Sequence, residues 1–506
     1  MFKKVLVANR GEIAVRVIRA LRFMNIRSVA VYSDADSEAM HVALADESYR
    51  IGPPSPAESY LNQDAIIKVA KNSGAEAIHP GYGFLSENSN FVKMCEENGI
   101  VFIGPSSMTL ELTGNKSKCR ENAAKIGVPV TPGSKGVIES IDEALEVAED
   151  IGYPVMIKSA FGGGGLGIRE AENREQLKEE WNRAISEAKN AFGRASLYLE
   201  KLVKPARHIE IQIFSDKYGN FVHLGERECS IQRRHQKLIE ITPSPIIDDE
   251  TRNRVGEYAL KVARSVKYLN AGTVEFLRGS DGQFYFMEVN SRLQVEHPIT
   301  EETTGVDIVV EQVNVAGGEP LSFSQPLIKH EGAAIECRIT AEDPLNDFTP
   351  DSGVVRELRI PGGNGVRVDT ALMEGVRIPE FYDSLIAKVI TRGKNLDDAR
   401  KRMIVALQEF NVSGIRTTLP FHLHVLNSEP FSTWKLDTNF IEENDIVGSL
   451  KREEQEKRSE SAKRVAAIVA YLLSKGIHKQ LKFETGEDKR TKITLNKSGG
   501  RFIDYV

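Results

Sequence analysis

The sequence predicts a multidomain protein of mixed α/β and α+β class. We expect an N-terminal parallel α/β domain, a central domain with a mobile lid, and a C-terminal mixed β domain. Three observations support this prediction. A chain of 506 residues exceeds what one hydrophobic core usually holds. Strand and helix patterns alternate over residues 1–110, and short strand patterns dominate residues 332–440.

The N-terminal part reads as a series of strands joined by helices. Residues 5–8 form a short apolar run typical of a buried strand, and residues 11–24 carry apolar side chains at helical spacing. The same alternation predicts further strands at 28–32, 77–79 and 101–103, with helices at 58–73 and 90–98. Strands that alternate with helices predict a parallel sheet covered on its faces.

The central part changes pattern after residue 113. Helices are predicted at 116–126, 141–151 and 174–190, and strands at 153–158, 168–171, 197–200 and 209–214. Residues 272–277 and 283–290 predict a hairpin, and residues 396–409 a helix within the C-terminal part. We therefore predict domains at 1–113, 114–331 (with a lid at about 131–203) and 332–445. Residues 446–506 are predicted to form a charged helix and short strands, and they are either a docking tail for partner chains or a solvated extension.

Bulk composition excludes several classes of protein. Acidic residues outnumber basic ones, 72 to 66, so no overall field favours nucleic acid or an anionic membrane. The four cysteines (Cys95, Cys119, Cys229, Cys337) contain no CxxC pair and fit free thiols in a reducing compartment. The apolar run near the N-terminus is too short for a signal peptide, and no segment has the length of a membrane span. We expect a cytoplasmic location, with neither nucleic acid nor membrane as a partner.

A glycine cluster at residues 162–167 lies between two predicted strands. A P-loop needs Gly-Lys-Ser/Thr leading into a helix, and this pattern is absent. Glycines at a hairpin tip can bring backbone N–H groups close to phosphate oxygens and can fold down as a lid. A merely mobile turn is the alternative, but five glycines near Lys158 favour the phosphate lid.

The hairpin at 272–292 carries acidic and amide side chains. Strict alternation places Phe286, Glu288, Asn290 and Arg292 on one face, with Val289 on the other. Glu275 lies on the partner strand. Oxygen ligands on adjacent strands suit Mg²⁺, which commonly shares them with phosphates. A solvated sheet face with incidental charges is the alternative, and the metal and anion site is favoured.

A basic run covers residues 227–237, RECSIQRRHQK. It has no interleaved aromatic residues on which bases stack, so a nucleic-acid site is disfavoured. A solvated charged face is the ordinary interpretation of such a run. An anion site for phosphate and bicarbonate is the third interpretation, and it depends on support from other segments.

Several long motifs, in order, resemble those of biotin carboxylases, members of the ATP-grasp superfamily. They span residues 5–12 (VLVANRGE), 79–88 (HPGYGFLSEN), 162–167, 230–237 (SIQRRHQK), 288–300 (EVNSRLQVEHPIT) and 336–344 (ECRITAEDP). The resemblance covers residues 1–445 and implies that the central domain is an ATP-grasp domain.

The resemblance implies a role for each matching residue. ATP and nucleotide contacts are expected at Lys116, Lys158, Gly163, Gly164, Gly165, Glu200, Lys201, Val203, His208, Gln232 and His235. Mg²⁺ or Mn²⁺ is expected at Glu275, Glu288 and Asn290. The bicarbonate pocket is expected at Lys237, Arg292, Gln294 and Val295, with Glu296 as general base and Arg338 holding the biotin enolate. Tyr82 and Asp383 match positions near the biotin or at the domain contact.

The reaction implied is ATP-dependent carboxylation of biotin by bicarbonate, through carboxyphosphate. The sequence lacks the Ala-Met-Lys-Met setting of a biotinylated lysine. We therefore expect a biotin carboxyl carrier protein and a carboxyltransferase as separate chains, and a homodimer within the complex. Acetyl-CoA or propionyl-CoA is the expected final acceptor and pyruvate the alternative. Another ATP-grasp ligase or a silent ATP-binding scaffold are the remaining hypotheses.

Overall fold

A five-stranded parallel sheet forms the N-terminal part of the computed structural model, which describes residues 1–160, 168–192, 196–474, 481–485, 491–497 and 500–505. The strands are β1 (Lys4–Val7), β2 (Arg27–Ser33), β3 (Glu47–Gly52), β4 (Ala77–His79) and β5 (Val101–Phe102). Their order is β3-β2-β1-β4-β5. The helices are α1 (Gly11–Phe23), α2 (Met40–Leu44), α3 (Gln63–Ser73), α4 (Ser89–Glu97) and α5 (Ser107–Gly114). The predicted parallel α/β fold is confirmed here.

The packing on both faces of strand β1 explains why its sequence is apolar without interruption. Val5 and Val7 pack in one hydrophobic cluster with Ile13 of α1, whereas Leu6 packs in a second cluster with Ile66 of α3. A parallel strand covered by helices on both faces needs apolar side chains at every position.

A small antiparallel sheet with its own core occupies the part of the chain where the lid is predicted. It comprises β6 (Val155–Ser159), β7 (Arg169–Ala171) and β8 (Leu197–Lys201), with β6 in the middle. Helices α7 (Ile141–Ile151) and α8 (Arg174–Phe192) belong to the same part of the chain, whereas α6 (Lys116–Lys125) packs against the larger, eight-stranded sheet, with Cys119 and Ala123 in the core of that sheet. Leu145, Ile157 and Trp181 share the core of the small sheet. The predicted lid glycines Gly163, Gly164 and Gly165 lie outside the described residues.

An eight-stranded antiparallel sheet dominates the rest of the molecule. The strands from the central part are β9 (Ala206–Ser215), β10 (Phe221–Arg233), β11 (Gln236–Thr242), β12 (Asn270–Gly279) and β13 (Phe284–Asn290). Those from the C-terminal part are β14 (Ala333–Thr340), β18 (Val366–Thr370) and β19 (Leu385–Gly393). The order in the sheet is β13-β12-β9-β10-β11-β14-β19-β18. Because β11 pairs with β14, the sheet continues from one predicted domain into the next.

The remaining elements cover this sheet or follow it. The helices are α9 (Asp249–Ser265), α10 (His297–Thr304), α11 (Ile308–Ala316), α12 (Leu396–Glu409), α13 (Leu419–Asn427), α14 (Glu429–Ser432), α15 (Phe440–Glu443) and α16 (Ile446–Ser474). Short strands are β15 (Glu342–Asp343), β16 (Thr349–Pro350), β17 (Glu357–Arg359) and β20 (Asn411–Ser413). Strands β21 (Leu481–Thr485), β22 (Thr491–Lys497) and β23 (Gly500–Tyr505) form an antiparallel sheet. Within the described ranges, no helix is both long and apolar enough to cross a membrane.

A β-bulge corrects the predicted alternation in β13. Glu275 pairs with Glu288, but the next residue, Phe276, pairs with Phe286, so β13 contains one extra residue. Val289 therefore joins Phe286 in the core, on the side opposite Glu288. The prediction that Phe286 and Glu288 share a face was wrong, because a bulge resets the period of two.

The basic run at 227–237 is also not a solvated face. Arg227 is completely buried and Glu228 almost so, within the long strand β10. The chain turns at Arg234 and His235, both with positive φ, and returns as β11. Only the tip of this hairpin matches the expectation of an exposed, charged face.

Helix α13 contains a completely buried histidine, His422. Its Nε2 lies 2.7 Å from the carbonyl oxygen of Arg338, which can only accept, so Nε2 carries the proton. Burial lowers the pKa of His422 to about 4. The ring is therefore neutral in the folded protein at neutral pH.

This histidine predicts a specific pH dependence of stability. In the unfolded chain His422 takes up a proton near its ordinary pKa of about 6.5, whereas in the folded protein it does so only near 4. The free energy of unfolding therefore decreases as pH falls between these two values. Relative to a His422→Asn variant, the free energy of unfolding of the wild type should decrease by roughly 3 kcal/mol from pH 7 to pH 4. Denaturant unfolding of both proteins across this range measures the difference, and a constant difference contradicts the prediction.

Candidate active site at the centre of the large sheet

A lysine surrounded by three carboxylates stands at the centre of the large sheet. Lys237 Nζ lies 2.5 Å from Glu210 Oε2, 2.8 Å from Glu275 Oε1 and 2.7 Å from Glu296 Oε1. An ammonium has three N–H donors, so these contacts use all of them. The structure thus brings together three residues that the sequence assigned to separate tasks, and adds Glu210.

Strand register explains why these groups meet. Arg227 on β10 pairs with Glu210 on β9, Glu210 with Glu275 on β12, and Glu275 with Glu288 on β13. Directly opposed residues in an antiparallel sheet project from the same face. A row of charged side chains therefore crosses four strands, and on β9 and β12 the neighbouring residues in sequence face the hydrophobic core.

Charge balance keeps the network ionised. Burial alone raises the pKa of Glu296, but Lys237, Arg338 and Arg227 outweigh it and hold that pKa well below its ordinary value. Burial likewise acts on Glu275, where Lys237 and His208 prevail and keep the pKa low. Burial lowers the pKa of Lys237, and the carboxylates around it raise that pKa well above the usual range. Glu296 is thus an unprotonated carboxylate able to accept a proton.

Arg227 and Glu210 are functional candidates that the sequence analysis missed. The Arg227 guanidinium contacts Glu210 and donates to Gln212 Oε1 at 2.8 Å, Thr300 Oγ1 at 3.0 Å and Thr273 Oγ1 at 3.1 Å. Thr300 belongs to α10, so the arginine ties this helix to the sheet. A signal for Glu210 existed: polar residues alternate with isoleucines over 208–213, which is typical of a strand with one polar face.

Arg338 completes the network from β14. Its Nη2 lies 2.8 Å from Glu296 Oε2, and its Nε donates to Glu240 Oε1 at 2.6 Å. Burial raises the pKa of Glu240 to about 7, a shift that Arg338 opposes and Glu296 reinforces. The guanidinium is therefore held from two sides beside the carboxylate that also contacts Lys237.

Residues expected to bind metal and anion lie along the edge of this network. Asn290 Nδ2 donates to Glu275 Oε1 at 2.8 Å, and Lys116 pairs with Glu288. Arg292 Nε lies 2.9 Å from Glu87 Oε2, and its Nη2 lies 3.5 Å from Asn290 Oδ1. Glu87 was not predicted, although it lies within one of the motifs that carry the resemblance.

Two features of these residues fit the expected ligands. Glu275, Glu288 and Asn290 offer oxygen atoms on adjacent strands, the type of donor that Mg²⁺ prefers. Gln294 is buried, and its Nε2 has no hydrogen-bond partner among the described residues. A buried donor without a partner is uncommon in proteins and suits an anion that brings acceptor oxygens.

Several residues that are expected to contact the nucleotide form a second group on the small sheet, on strands β6 and β8. Lys158 Nζ lies 2.6 Å from Glu200 Oε2, and Lys201 Nζ donates to the carbonyl oxygens of Gly152 at 3.0 Å and Tyr153 at 2.6 Å. Burial lowers the pKa of His235, and nearby Lys158 lowers it further. This proximity connects the second group to the hairpin tip between β10 and β11.

The other expected residues are placed as follows. His208 Nε2 lies 3.2 Å from Glu275 Oε2, within the central network, and Gln232 pairs in register with Lys237. Val203 follows β8. Tyr82 contacts the carboxylate of Glu12, and Asp383 accepts from the backbone N–H of Leu385 within its own turn. No hydrogen bond in the described part of the chain joins Asp383 to the central network.

Models of known families match three consecutive parts of the chain. They are the biotin carboxylase N-terminal domain at residues 1–110, the ATP binding domain of the carbamoyl-phosphate synthase L chain at 115–324, and the biotin carboxylase C-terminal domain at 336–443.

Curated relatives and a solved structure agree with these matches. Biotin carboxylase 1 of Bacillus subtilis is 52% identical over 450 residues, covering 89% of this chain and 100% of that protein. A pyruvate carboxylase subunit of Methanothermobacter thermautotrophicus is 51% identical, covering 88% and 90%. The biotin carboxylase domain dimer of 2-oxoglutarate carboxylase from Hydrogenobacter thermophilus, solved with MgADP, ADP and bicarbonate, has a TM-score of 0.86 at 48% identity and covers 88% and 98%.

Removal of the charged amine of Lys237 should greatly reduce the activity of the site. In Lys237→Met, the carboxylates of Glu210, Glu275 and Glu296 lose their shared partner, so the pKa of Glu296 should rise. We expect kcat for bicarbonate-dependent ATP cleavage to fall by on the order of 100-fold, and the acid limb of its pH profile to move to higher pH. Lys435→Met, at an exposed lysine, is the control. An unchanged acid limb contradicts the prediction.

Proposed function

The chain belongs to the biotin carboxylase family, and we propose that its central network carries out the ATP-dependent carboxylation of biotin by bicarbonate. The single observation that carries this proposal is the convergence of Lys237, Glu296 and Arg338, from three separate segments, within hydrogen-bond distance of one another. The MgADP and bicarbonate bound to the Hydrogenobacter domain support the choice of ligands.

The first step uses the ionised carboxylate. Glu296 takes the proton of bicarbonate while a bicarbonate oxygen attacks the γ-phosphorus of ATP and the bond to the β-phosphate oxygen breaks. The products are ADP and carboxyphosphate. Lys237 and Lys116 offset charge on the phosphoryl oxygens, which is the main task of the protein in such transfers. Gln294 Nε2, buried without a partner in the described structure, is available to an oxygen of bicarbonate.

Glu275, Glu288 and Asn290 would hold a divalent cation. Mg²⁺ or Mn²⁺ at this position supplies positive charge to the phosphate oxygens. The lysine and histidine that now contact these carboxylates, Lys116 and His208, lie where the phosphates are expected.

The second step uses the arginine. Carboxyphosphate divides into CO₂ and phosphate, and the phosphate removes the proton from the ureido nitrogen of biotin. That nitrogen then forms a bond to CO₂, while Arg338 holds the enolate oxygen of the ureido group. Glu240 and Glu296 orient the guanidinium for this contact from two directions. A closed lid excludes water from the labile intermediate.

We propose a biotin carboxyl carrier protein and a carboxyltransferase as separate partner chains. Two relatives are named as subunits, one of pyruvate carboxylase and one of 2-oxoglutarate carboxylase, and this chain covers 90% and 94% of their lengths, which supports a subunit of this kind. A homodimer is supported by the Hydrogenobacter domain, which is described as a dimer. A cytoplasmic location is supported by four cysteines that are all free and buried.

The final acceptor is chosen by the carboxyltransferase chain. A CoA thioester, acetyl-CoA or propionyl-CoA, is the acceptor proposed from the sequence. A 2-oxo acid is the second candidate, favoured by the names of the pyruvate and 2-oxoglutarate carboxylase relatives at 51% and 48% identity.

Residues beyond 457 are proposed to dock these partners. The family models end at residue 443, whereas α16 continues to Ser474. The first turns of α16 belong to the core, since Ile446 and Leu450 are buried and Glu453 pairs with His424 at 2.7 Å. The middle of the helix, residues 455–464, is almost wholly exposed and strongly charged.

The reaction is tested by ATP turnover with and without bicarbonate and free biotin. Both compounds should stimulate ADP release, and Glu296→Gln should abolish the stimulation because an amide cannot accept the proton. Glu319→Gln, at an exposed glutamate, is the matched control. Absence of any stimulation in the wild type would overturn the proposed function, and ATP use with an amine instead of biotin would identify another ATP-grasp ligase.

The docking segment is tested by truncation after Lys457. This variant keeps Ile446, Leu450 and the His424–Glu453 pair, so ATP turnover with free biotin should equal that of the wild type. Co-purification with the carrier and the carboxyltransferase should be lost. Unchanged assembly ends the docking proposal and leaves the catalytic one intact.

A further inference from the structure

A completely buried lysine, Lys388, lies next to the network without belonging to it. It is on β19, and its side chain is closed to solvent. A buried ammonium costs several kcal/mol unless polar groups surround it, so its partners identify what it does.

Its partners come from three different parts of the chain. Lys388 Nζ lies 3.1 Å from the carbonyl oxygen of Val295, in the turn before α10, and 3.2 Å from Glu12 Oε2 in α1. Asp369 Oδ2 on β18 is farther away, at 3.8 Å. Arg367 contacts both oxygens of Asp369, at 3.0 and 2.8 Å. The short contacts of the lysine are therefore Val295 and Glu12.

The sheet register places Lys388 beside the proposed biotin arginine. Arg338 pairs with Lys388, and Lys388 pairs with Asp369, so the three side chains project from the same face of adjacent strands. That face also contacts α10, which begins directly after Glu296. Lys388 thus contacts the backbone of the turn that carries Gln294 and Glu296.

A bond to the Val295 carbonyl fixes more than one atom. The peptide group is planar, so the carbonyl oxygen sets the orientation of the whole link between Val295 and Glu296. Glu296 is the proposed base, and Gln294 carries the unpartnered donor on the other side. Both side chains leave a backbone whose position depends on this contact.

We propose that Lys388 is a positioning residue for bicarbonate: it anchors the Val295 carbonyl and thereby sets Gln294 and Glu296 for the anion. Glu12, from the N-terminal part of the chain, and Asp369 are the carboxylates beside the buried ammonium. This inference rests on the proposed function, which supplies the anion. It assigns to Lys388 no contact with a substrate.

A purely structural role makes a different prediction. If Lys388 only neutralises Glu12, its loss matters because a buried carboxylate is left unpaired. Replacement of both residues then repairs the damage. If the Val295 contact matters, the double replacement repairs stability but leaves the bicarbonate site disordered.

The test compares Lys388→Met, Glu12→Gln and the double variant in the full chain. Thermal unfolding and the KM values for bicarbonate and ATP are measured for each. We expect Lys388→Met to unfold at lower temperature and to raise KM for bicarbonate by about tenfold or more, with a much smaller effect on KM for ATP. The double variant should recover much of the unfolding temperature and keep the high bicarbonate KM. Glu12→Gln alone should keep a KM near that of the wild type.

Two results overturn the inference. One is a wild-type bicarbonate KM in the double variant, and the other is an equal rise in the KM values for bicarbonate and ATP. Should Lys388→Met fail to fold, the double variant, in which the buried carboxylate is also removed, gives the same discrimination. A wild type without bicarbonate-dependent turnover contradicts the proposed function itself and is recognised before any variant is compared.

Discussion

The active site depends on the mutual neutralisation of charges that are buried together. Lys237 is the common partner of Glu210, Glu275 and Glu296. Arg227 also binds Glu210, and Arg338 also binds Glu296. An isolated charge at this depth would be neutralised by a change of pKa. Here each acid meets a base, so the pKa values of Glu275 and Glu296 lie well below their ordinary value and the pKa of Lys237 lies well above its own. Lys237 and Arg338 therefore keep Glu296 in the unprotonated form that a proton acceptor requires.

The large sheet supplies the rigidity that such a network requires. Its strands β9 to β13 come from the central part of the chain, and β14, β18 and β19 from the C-terminal part. Because β11 pairs with β14, Lys237 and Arg338 stand on neighbouring strands of one sheet, although about a hundred residues separate them in sequence. Residues proposed for the phosphate and biotin steps therefore lie on one sheet, and Glu296 contacts both Lys237 and Arg338.

Sequence reasoning predicted most of the strands and named several of the residues that the structure brings together, and its errors have physical causes. The alternation of 284–290 predicted the hairpin, but not the bulge that turns Val289 inward, because a bulge depends on the pairing partner. A solvated face was the ordinary interpretation of the run at 227–237, yet Arg227 is completely buried, because Glu210, the carboxylate that contacts it, lies on a strand that composition does not reveal. Lys388 and Glu87 were missed for the same reason: each gains its meaning from a residue far away in sequence.

The side chains proposed to contact ATP fall into two groups, one on the small sheet and one beside the large sheet, and this separation bears on the proposed mechanism. Lys158 and Glu200 belong to the small sheet, which has its own core, whereas Lys237 and Lys116 contact carboxylates of the large sheet. In the proposed mechanism, the phosphate oxygens of ATP compete with Glu200 for Lys158. The free energy of that exchange would favour a lid position in which the phosphates lie within reach of both sheets. Under this proposal, cations on the two sheets couple nucleotide binding to closure of the lid, and closure excludes water.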